Sequence, residues 1–158
     1  MIRKIQPQDN TEIAAIIRNT FDEFDMPKLH TVYDDPSTDH QYEVFCQESS
    51  SVLWVAEEKG RVVGSCGVYP TEGLPKGWCE IVKFYVSKEQ RGMGIGGRLF
   101  AKALSSARYL GYDTAYLETF PQFSEAVGMY QHYGFQFVGH PQGNSGHTAT
   151  SIWMKKKL

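Results

Sequence analysis

The sequence has few of the residues that mark disulfide-rich or metal-binding proteins. It contains 3 cysteines, Cys46, Cys66 and Cys79, an odd number without a CxxC spacing. None of its 5 histidines belongs to an HExxH motif. These absences argue against a disulfide framework and a thiolate metal site. We therefore expect no metal and a reducing, cytoplasmic compartment.

The chain also lacks long apolar runs and a strong net charge. No segment approaches the roughly 20 apolar residues of a membrane-spanning helix, and the N-terminus has no apolar signal core. A formal net charge of −2 gives no general attraction to nucleic acid or anionic membranes. We interpret the basic run Lys155–Lys157 as a solvated chain end. We therefore expect neither a nucleic-acid nor a membrane partner.

The amino-acid composition is typical of an ordinary globular domain. With 158 residues, 41% hydrophobic and 22% charged, we expect one domain over residues 1–158 with a real core. Apolar periodicities predict an α+β fold around one mixed sheet, in the order β-α-α-β-β-β-α-β-α-β-β. The first helix opens near Thr11, with Thr11 or Asn10 as N-cap. The predicted strands are 2–5, 52–57, 61–69, 78–86, 114–118, 135–138 and 148–154, and the later helices are 38–49, 94–110 and 122–133.

A glycine-rich turn, Gln90-Arg91-Gly92-Met93-Gly94-Ile95-Gly96-Gly97, opens the long third helix. Glycines let backbone N–H groups approach an anion closely, and the helix adds its positive N-terminal end. Arg91 and Arg98 flank the turn and can add side-chain charge to a phosphate. The turn therefore predicts a phosphate-binding site.

The same turn matches the dinucleotide-binding fingerprint as Gly92-x-Gly94-x-x-Gly97, and Glu118 follows about 20 residues later. In that fingerprint the glycines follow the strand at once, whereas residues 87–91 intervene here. A doubly wound fold also needs further βαβ units, for which little chain remains. A nicotinamide-binding oxidoreductase is therefore the weakest interpretation.

Several segments around the turn carry a family resemblance. The strand Glu80–Val86, the turn Gln90–Gly97, the segment Ala126–Tyr130 and the pair Gly134-Phe135 together resemble the GNAT superfamily of N-acetyltransferases. The earlier part of the chain matches only in the order of its elements. The resemblance implies a mixed, mostly antiparallel sheet that is splayed in the middle and flanked by helices, with acetyl-CoA entering the opening.

The resemblance also implies which residues hold acetyl-CoA. Backbone groups at the end of the fourth strand would bind the pantetheine, with the Val86 N–H at the thioester carbonyl, and the turn would bind the pyrophosphate. The family often has Asn where this sequence has Phe123, so that contact is missing or falls to Ser124. The expected cofactor-binding residues are Phe84, Tyr85, Val86, Arg91, Gly92, Met93, Gly94, Ile95, Gly96, Gly97 and Arg98.

Glu80 is the candidate general base. Alternation along the strand predicts that it shares a face with Val82, Phe84 and Val86. A carboxyl group on an apolar face is poorly solvated, which raises its pKa into the range useful to a base. It would act on the amine directly or through a water. The other interpretation is a Glu near a strand end that simply reaches water.

Tyr130 and His147 are further candidates, each with a plainer alternative. The resemblance places a thiolate-protonating tyrosine at Tyr130, but Phe123, Val127 and Tyr130 also lie at helical spacing, which is typical of core. His147 follows the glycine-rich loop segment 143–146 and would line the acceptor pocket, although loop histidines are often only solvated.

The leading expectation is an enzyme that transfers acetyl from acetyl-CoA to a primary amine of a small molecule or peptide. The alternative is a non-catalytic acyl-CoA-binding sensor, which would keep the glycine turn but need neither Glu80 nor Tyr130. Dimers are common in the superfamily that this sequence resembles, so a homodimer is compatible with the sequence. No motif decides the oligomeric state.

Overall fold

Seven strands form one sheet in the order β1-β2-β3-β4-β5-β7-β6 in the computed structural model, which describes residues 1–158. β4 and β5 are parallel, and every other neighbouring pair is antiparallel. The predicted α+β fold with a mixed sheet is confirmed. The strands are β1 Ile2–Lys4, β2 Val52–Glu58, β3 Arg61–Tyr69, β4 Trp78–Val86, β5 Thr114–Thr119, β6 Gln136–Val138 and β7 Ile152–Lys157, and the helices are α1 Asn10–Glu23, α2 Gln41–Cys46, α3 Ile95–Tyr109 and α4 Ser124–His132.

The sheet opens between its two parallel strands. Trp78–Glu80 of β4 pairs with Thr114–Tyr116 of β5, and there the pairing stops. Residues 81–86 of β4 have no partner strand on this edge, while β5 continues along β7 as far as Thr119. The result is a V-shaped opening with free backbone on one wall, as the resemblance implies.

Apolar clusters fill the two faces of the sheet. α1 contributes Ile13, Ile17 and Phe21 to one cluster, and α3 contributes Leu99 and Ala103 to the other. Helical spacing produces both stripes, since residues three and four apart share a face. No helix combines the length and the apolar character needed to cross a membrane.

α3 ends in a Schellman motif, in which Gly111 adopts a φ of 92°. The N–H of Tyr112 donates to the carbonyl of Ala107 at 3.1 Å, and that of Gly111 donates to Arg108 at 3.0 Å. A left-handed residue is required here, so the predicted glycine stop of this helix is confirmed.

Three predicted boundaries are wrong. Residues 38–49 form a 3-10 turn, Pro36–His40, followed by the short α2. The last strand begins at Ile152 and runs to Lys157, so Lys155–Lys157 belong to β7, although Lys155 and Lys157 are exposed to solvent. α1 follows directly on a 3-10 turn, which puts Asp9 at the N-cap in place of Asn10 or Thr11. All three cysteines are free.

A β-bulge at Lys83 divides β4. The register with β3 shifts between Ser65 and Gly67, and Lys83 has a φ of 55°. An extra residue reverses the alternation of side chains beyond it. Phe84 and Val86 therefore pack in the α3 cluster, whereas Val82 packs in the α1 cluster. The prediction that Glu80 shares a face with Phe84 and Val86 is wrong for this reason.

Candidate active site

The glycine turn presents a row of unpaired backbone donors. Gly92 and Gly94 have φ values of 79° and 80°, which hold the turn in a conformation that favours glycine. Arg98 makes the first hydrogen bond of the helix, to the Gly94 carbonyl at 3.1 Å. The N–H groups from Gly92 to Gly97 have no hydrogen-bond partner in the protein. Free donors at the positive end of a helix are suited to an anion.

The two flanking arginines differ in their surroundings. Arg91 donates to the Val86 carbonyl at 3.0 Å and to Glu23 at 2.7 Å, and its guanidinium lies over Phe24. This side chain is therefore already held by protein groups. Arg98 is exposed and has no ion pair, so it is the flanking cation that remains available.

A groove runs from the glycine turn along the free edge of β4 to α4. Its walls come from Phe84–Val86 of β4 and from residues 122–126 of α4 and the preceding loop, and it ends at Tyr130. Ser124 lines this groove beside Phe123. The groove thus brings together the strand end and the turn that the sequence assigns to the cofactor, although the side chain of Ile95 points into the core.

A second cavity continues from the inner end of this groove. Tyr85 and Tyr130 line both spaces, so the two meet where the sheet opens. Glu80 and His147 line the second cavity together with Tyr130. The structure therefore brings all three predicted side chains to one place.

Glu80 lies in this cavity with a relative exposure of only 5%. Its Oε1 accepts a hydrogen bond of 2.6 Å from Thr71 Oγ1, and its Oε2 has no protein partner. Burial, and next the charge of Glu118, raise its pKa to about 7, against a smaller lowering by the Thr71 hydrogen bond. The alternative of a solvated strand-end carboxylate is wrong, and the group is poised to exchange a proton near neutral pH.

Glu118 is a second carboxylate in the cavity, at a position where the sequence pattern indicates only a dinucleotide contact. Both its oxygens are occupied, by Tyr116 Oη at 2.8 Å and by Ser145 Oγ at 2.5 Å. The N–H of Gln142 in turn donates to Tyr116 Oη at 3.0 Å. These bonds fasten the loop before β7 onto the sheet. Strand alternation could have predicted the contact between Tyr116 and Glu118, since residues two apart share one face of β5.

His147 is held in the roof of the cavity. Its ring Nε2 lies 2.9 Å from Asp35 Oδ2, and its backbone N–H donates to Ser145 Oγ at 3.1 Å. Burial raises the pKa of Asp35, but hydrogen bonds from His147 and Ser37 outweigh this and lower it overall. The pair joins the loop after α1 to the loop before β7, so His147 is not a freely solvated loop residue.

Tyr130 combines the two roles that the sequence left open. Its ring packs against Phe100, Phe135 and Phe84 at centroid distances of 5.3, 6.1 and 6.2 Å. Its hydroxyl makes no hydrogen bond in the protein, and the residue lines both the groove and the cavity. Burial raises the pKa of this phenol, so it stays protonated at neutral pH and can donate.

Lys83 is a charged residue of the cavity that the sequence analysis missed. It lines the cavity beside Glu80, and its side chain makes no hydrogen bond or ion pair. Burial lowers its pKa, against the opposing charges of Glu80 and Asp35. The signal in the sequence was a single lysine inside an otherwise apolar strand segment, Ile81–Val86.

Sequence comparison decides which family this geometry belongs to. The model of the Acetyltransferase (GNAT) family matches residues 15–135. The chain belongs to the GNAT acetyltransferase family. An uncharacterized N-acetyltransferase of Escherichia coli K12, YjgM, is 34% identical over 100% of this chain and 95% of the relative. This GNAT protein is therefore an acyl-CoA-dependent N-acyltransferase, and the expectation of an enzyme is confirmed over that of a sensor.

Solved GNAT structures share the fold along the whole chain. An acetyltransferase of the GNAT family from Staphylococcus aureus Mu50 superimposes with a TM-score of 0.88 at 20% identity, covering 100% of this chain and 98% of that one. A phosphinothricin acetyltransferase from Sinorhizobium meliloti, solved with AcCoA, gives 0.78 at 19% identity, covering 100% and 88%. The dinucleotide-binding interpretation of the glycine turn requires a parallel, doubly wound sheet, and the sheet of this chain is mostly antiparallel, so that interpretation is wrong.

Proposed function

We propose that this GNAT enzyme transfers the acetyl group of acetyl-CoA to a primary amine of a small molecule or peptide by direct attack. Glu80 acts as general base and Tyr130 as general acid. The observation that supports this most is that both side chains line one cavity at the inner end of the groove.

The groove has the donors that acetyl-CoA requires. The unpaired N–H groups from Gly92 to Gly97 suit the pyrophosphate, and Arg98 adds a positive charge nearby. The unpaired edge of β4 beyond Glu80 offers backbone groups to the amide-containing pantetheine. Arg91 supports this arrangement indirectly, because its bonds to Val86 and Glu23 tie the strand end to α1.

Glu80 serves the amine. An ammonium must lose a proton before its nitrogen attacks the thioester carbon, and the free Oε2 of Glu80 is the acceptor for that proton. With a pKa of about 7, the carboxylate is available at neutral pH and yet basic enough to take part. A bridging water fits the same role where the amine does not touch the carboxylate.

Tyr130 serves the leaving group. As the new C–N bond forms and the C–S bond breaks, the departing thiolate takes up a proton, so that free CoA leaves as the thiol. The attacking nitrogen releases its second proton to solvent as the amide forms. The unpartnered, protonated hydroxyl of Tyr130 lies where the groove meets the cavity and can supply this proton. The phenol is then reprotonated from solvent.

The proposal is tested by following thiol release from acetyl-CoA with a panel of amines, in the wild type and in Glu80→Gln. We expect kcat/KM to fall by about 10²- to 10⁴-fold in the variant, with CoA affinity unchanged. Glu72→Gln is the control, since Glu72 is exposed in the nearby β3–β4 connection. Unchanged turnover in Glu80→Gln would exclude Glu80 as the base.

A further inference from the structure

Lys83 occupies an unusual place for a lysine. Among the non-glycine residues with positive φ, Asp25, His30 and Lys59 lie in loops or turns, and only Lys83 lies within a strand. Such a conformation is strained for a residue other than glycine. The Ser65 hydroxyl fixes it by donating to the Lys83 carbonyl at 2.5 Å. The fold thus maintains a strained bulge that places this side chain at the cavity.

The charged groups around Lys83 are mostly occupied by other partners. Both oxygens of Glu118 accept hydrogen bonds from Tyr116 and Ser145. Asp35 is not itself in the cavity wall, and its oxygens accept from His147 and from the Ser37 N–H. Their negative charge remains, but each of their oxygens already accepts one hydrogen bond from the protein.

Two ionisable groups of the cavity have atoms without a hydrogen-bond partner in the protein. They are the ammonium of Lys83, which has no partner, and Oε2 of Glu80. The Lys83 nitrogen is also not fully buried, since the fully buried side-chain atoms without a partner belong to other residues. A half-buried cation without a partner is costly, and an anion delivered by the substrate would relieve that cost.

A simple monoamine fits this pair poorly. It arrives as a cation, which Glu80 and Glu118 attract but Lys83 repels. A molecule that carries both an amine and an anionic group satisfies both ends. Its ammonium faces Glu80 and its anion faces Lys83. The charges of the two residues act on each other across this one cavity, so the ammonium and the anion of the ligand belong to one small molecule.

We propose that the acceptor is a small amino carboxylate of the α-amino-acid type, whose carboxylate is bound by Lys83 while its amino group faces Glu80. This inference rests on the proposed acetyl transfer to a primary amine and names the class of amine. Lys83 is then a specificity-determining residue, because it binds the part of the acceptor that does not react.

The test uses matched acceptor pairs in which only the anion changes. Free L-amino acids are compared with their α-carboxamides and with the corresponding decarboxylated amines, in the wild type, Lys83→Met and Lys83→Gln. Methionine keeps the length of the lysine stem and lacks its charge. Thiol release gives kcat/KM for each acceptor, and calorimetric titration of the same pairs into CoA-loaded protein gives their affinities.

We expect the wild type to favour amino acids over their carboxamides by at least about 10-fold. Lys83→Met should lose about that factor on amino acids and little on carboxamides, with acetyl-CoA affinity unchanged. Equal use of both acceptors by the wild type, or equal losses on both in the variants, would overturn the inference. The wild-type comparison alone decides the case if neither variant folds.

Failure of the proposed function gives a different result. In that case no acceptor is acetylated, yet the titrations still report whether the free carboxylate strengthens binding and whether Lys83 is responsible. Acetyl transfer to carboxamides and monoamines without a preference for amino acids would instead retain the proposed function and reject the amino-acid class.

Discussion

Thr71 Oγ1 donates a hydrogen bond of 2.6 Å to Glu80 Oε1, and this is the only hydrogen bond that the buried carboxyl group makes. Thr71 lies just beyond β3, and Glu80 pairs with Tyr69 in the sheet register. The contact therefore depends on the turn between β3 and β4. It lowers the pKa of Glu80 against the larger effects of burial and Glu118.

Removal of this hydrogen bond should shift the pH dependence of catalysis. In Thr71→Val the carboxylate loses a donor that stabilises its charged form, so the pKa of Glu80 should rise above its value of about 7. We expect the acidic limb of the kcat/KM profile to move upward by about one pH unit. Thr71→Ser, which keeps the hydroxyl, should retain the wild-type limb. An unmoved limb in Thr71→Val would mean that another group controls it.

The same carboxyl group should make folding stability depend on pH. Burial raises the pKa of Glu80 from 4.5 to about 7, so between these values the native state binds more protons than the unfolded state. The free energy of unfolding should therefore decrease as pH rises through this window, by at most about 3 kcal/mol.

Urea unfolding at about pH 5 and about pH 8 measures this dependence. Glu80→Gln cannot titrate, so its free energy of unfolding should change less between the two conditions than that of the wild type. If both proteins lose the same stability, the dependence arises from other groups.

The glycine turn allows a matched pair of substitutions. Gly94 and Gly111 stand at opposite ends of α3, with φ values of 80° and 92° and with open space around an added Cβ. Alanine at either position is strained, at a cost of about 1 kcal/mol. We expect both variants to lose similar stability, measured by thermal unfolding, but only Gly94→Ala to raise the KM for acetyl-CoA. Equal KM values for acetyl-CoA in the two variants would show that the turn does not bind the cofactor.

Tyr130→Phe should separate chemistry from packing. The substitution keeps the ring that packs on Phe100 and removes a hydroxyl without a hydrogen bond in the protein. We expect thermal stability to stay within about 0.5 kcal/mol of the wild type and kcat to fall about 10²-fold. Tyr133→Phe is the control, because it also removes one tyrosine hydroxyl, which donates to the Gly97 carbonyl at 3.3 Å. This substitution should leave kcat almost unchanged. A normal kcat in Tyr130→Phe would show that the hydroxyl takes no part in catalysis and that Tyr130 only packs in the core.

Local sequence was sufficient for the elements that depend on neighbouring residues. The third helix, its glycine stop at Gly111 and the strand at residues 78–86 have the predicted bounds to within a residue or so. The glycine turn was also recognisable, because left-handed backbone and free N–H groups follow from glycines at a helix start. Order of elements and a mixed sheet followed from periodicity alone.

Tertiary structure alone decided which groups meet. The bulge at Lys83 arises from pairing with β3, and it places Glu80 and Phe84 on opposite faces where simple alternation places them together. His147 reaches the cavity only because its loop is fastened to Asp35 and Glu118, through contacts far apart in sequence. The sequence by itself determined the order of the elements and the glycine turn, since both rest on local periodicity and turn chemistry. The acceptor cavity and its free lysine depend on register and loop closure, which only long-range packing sets.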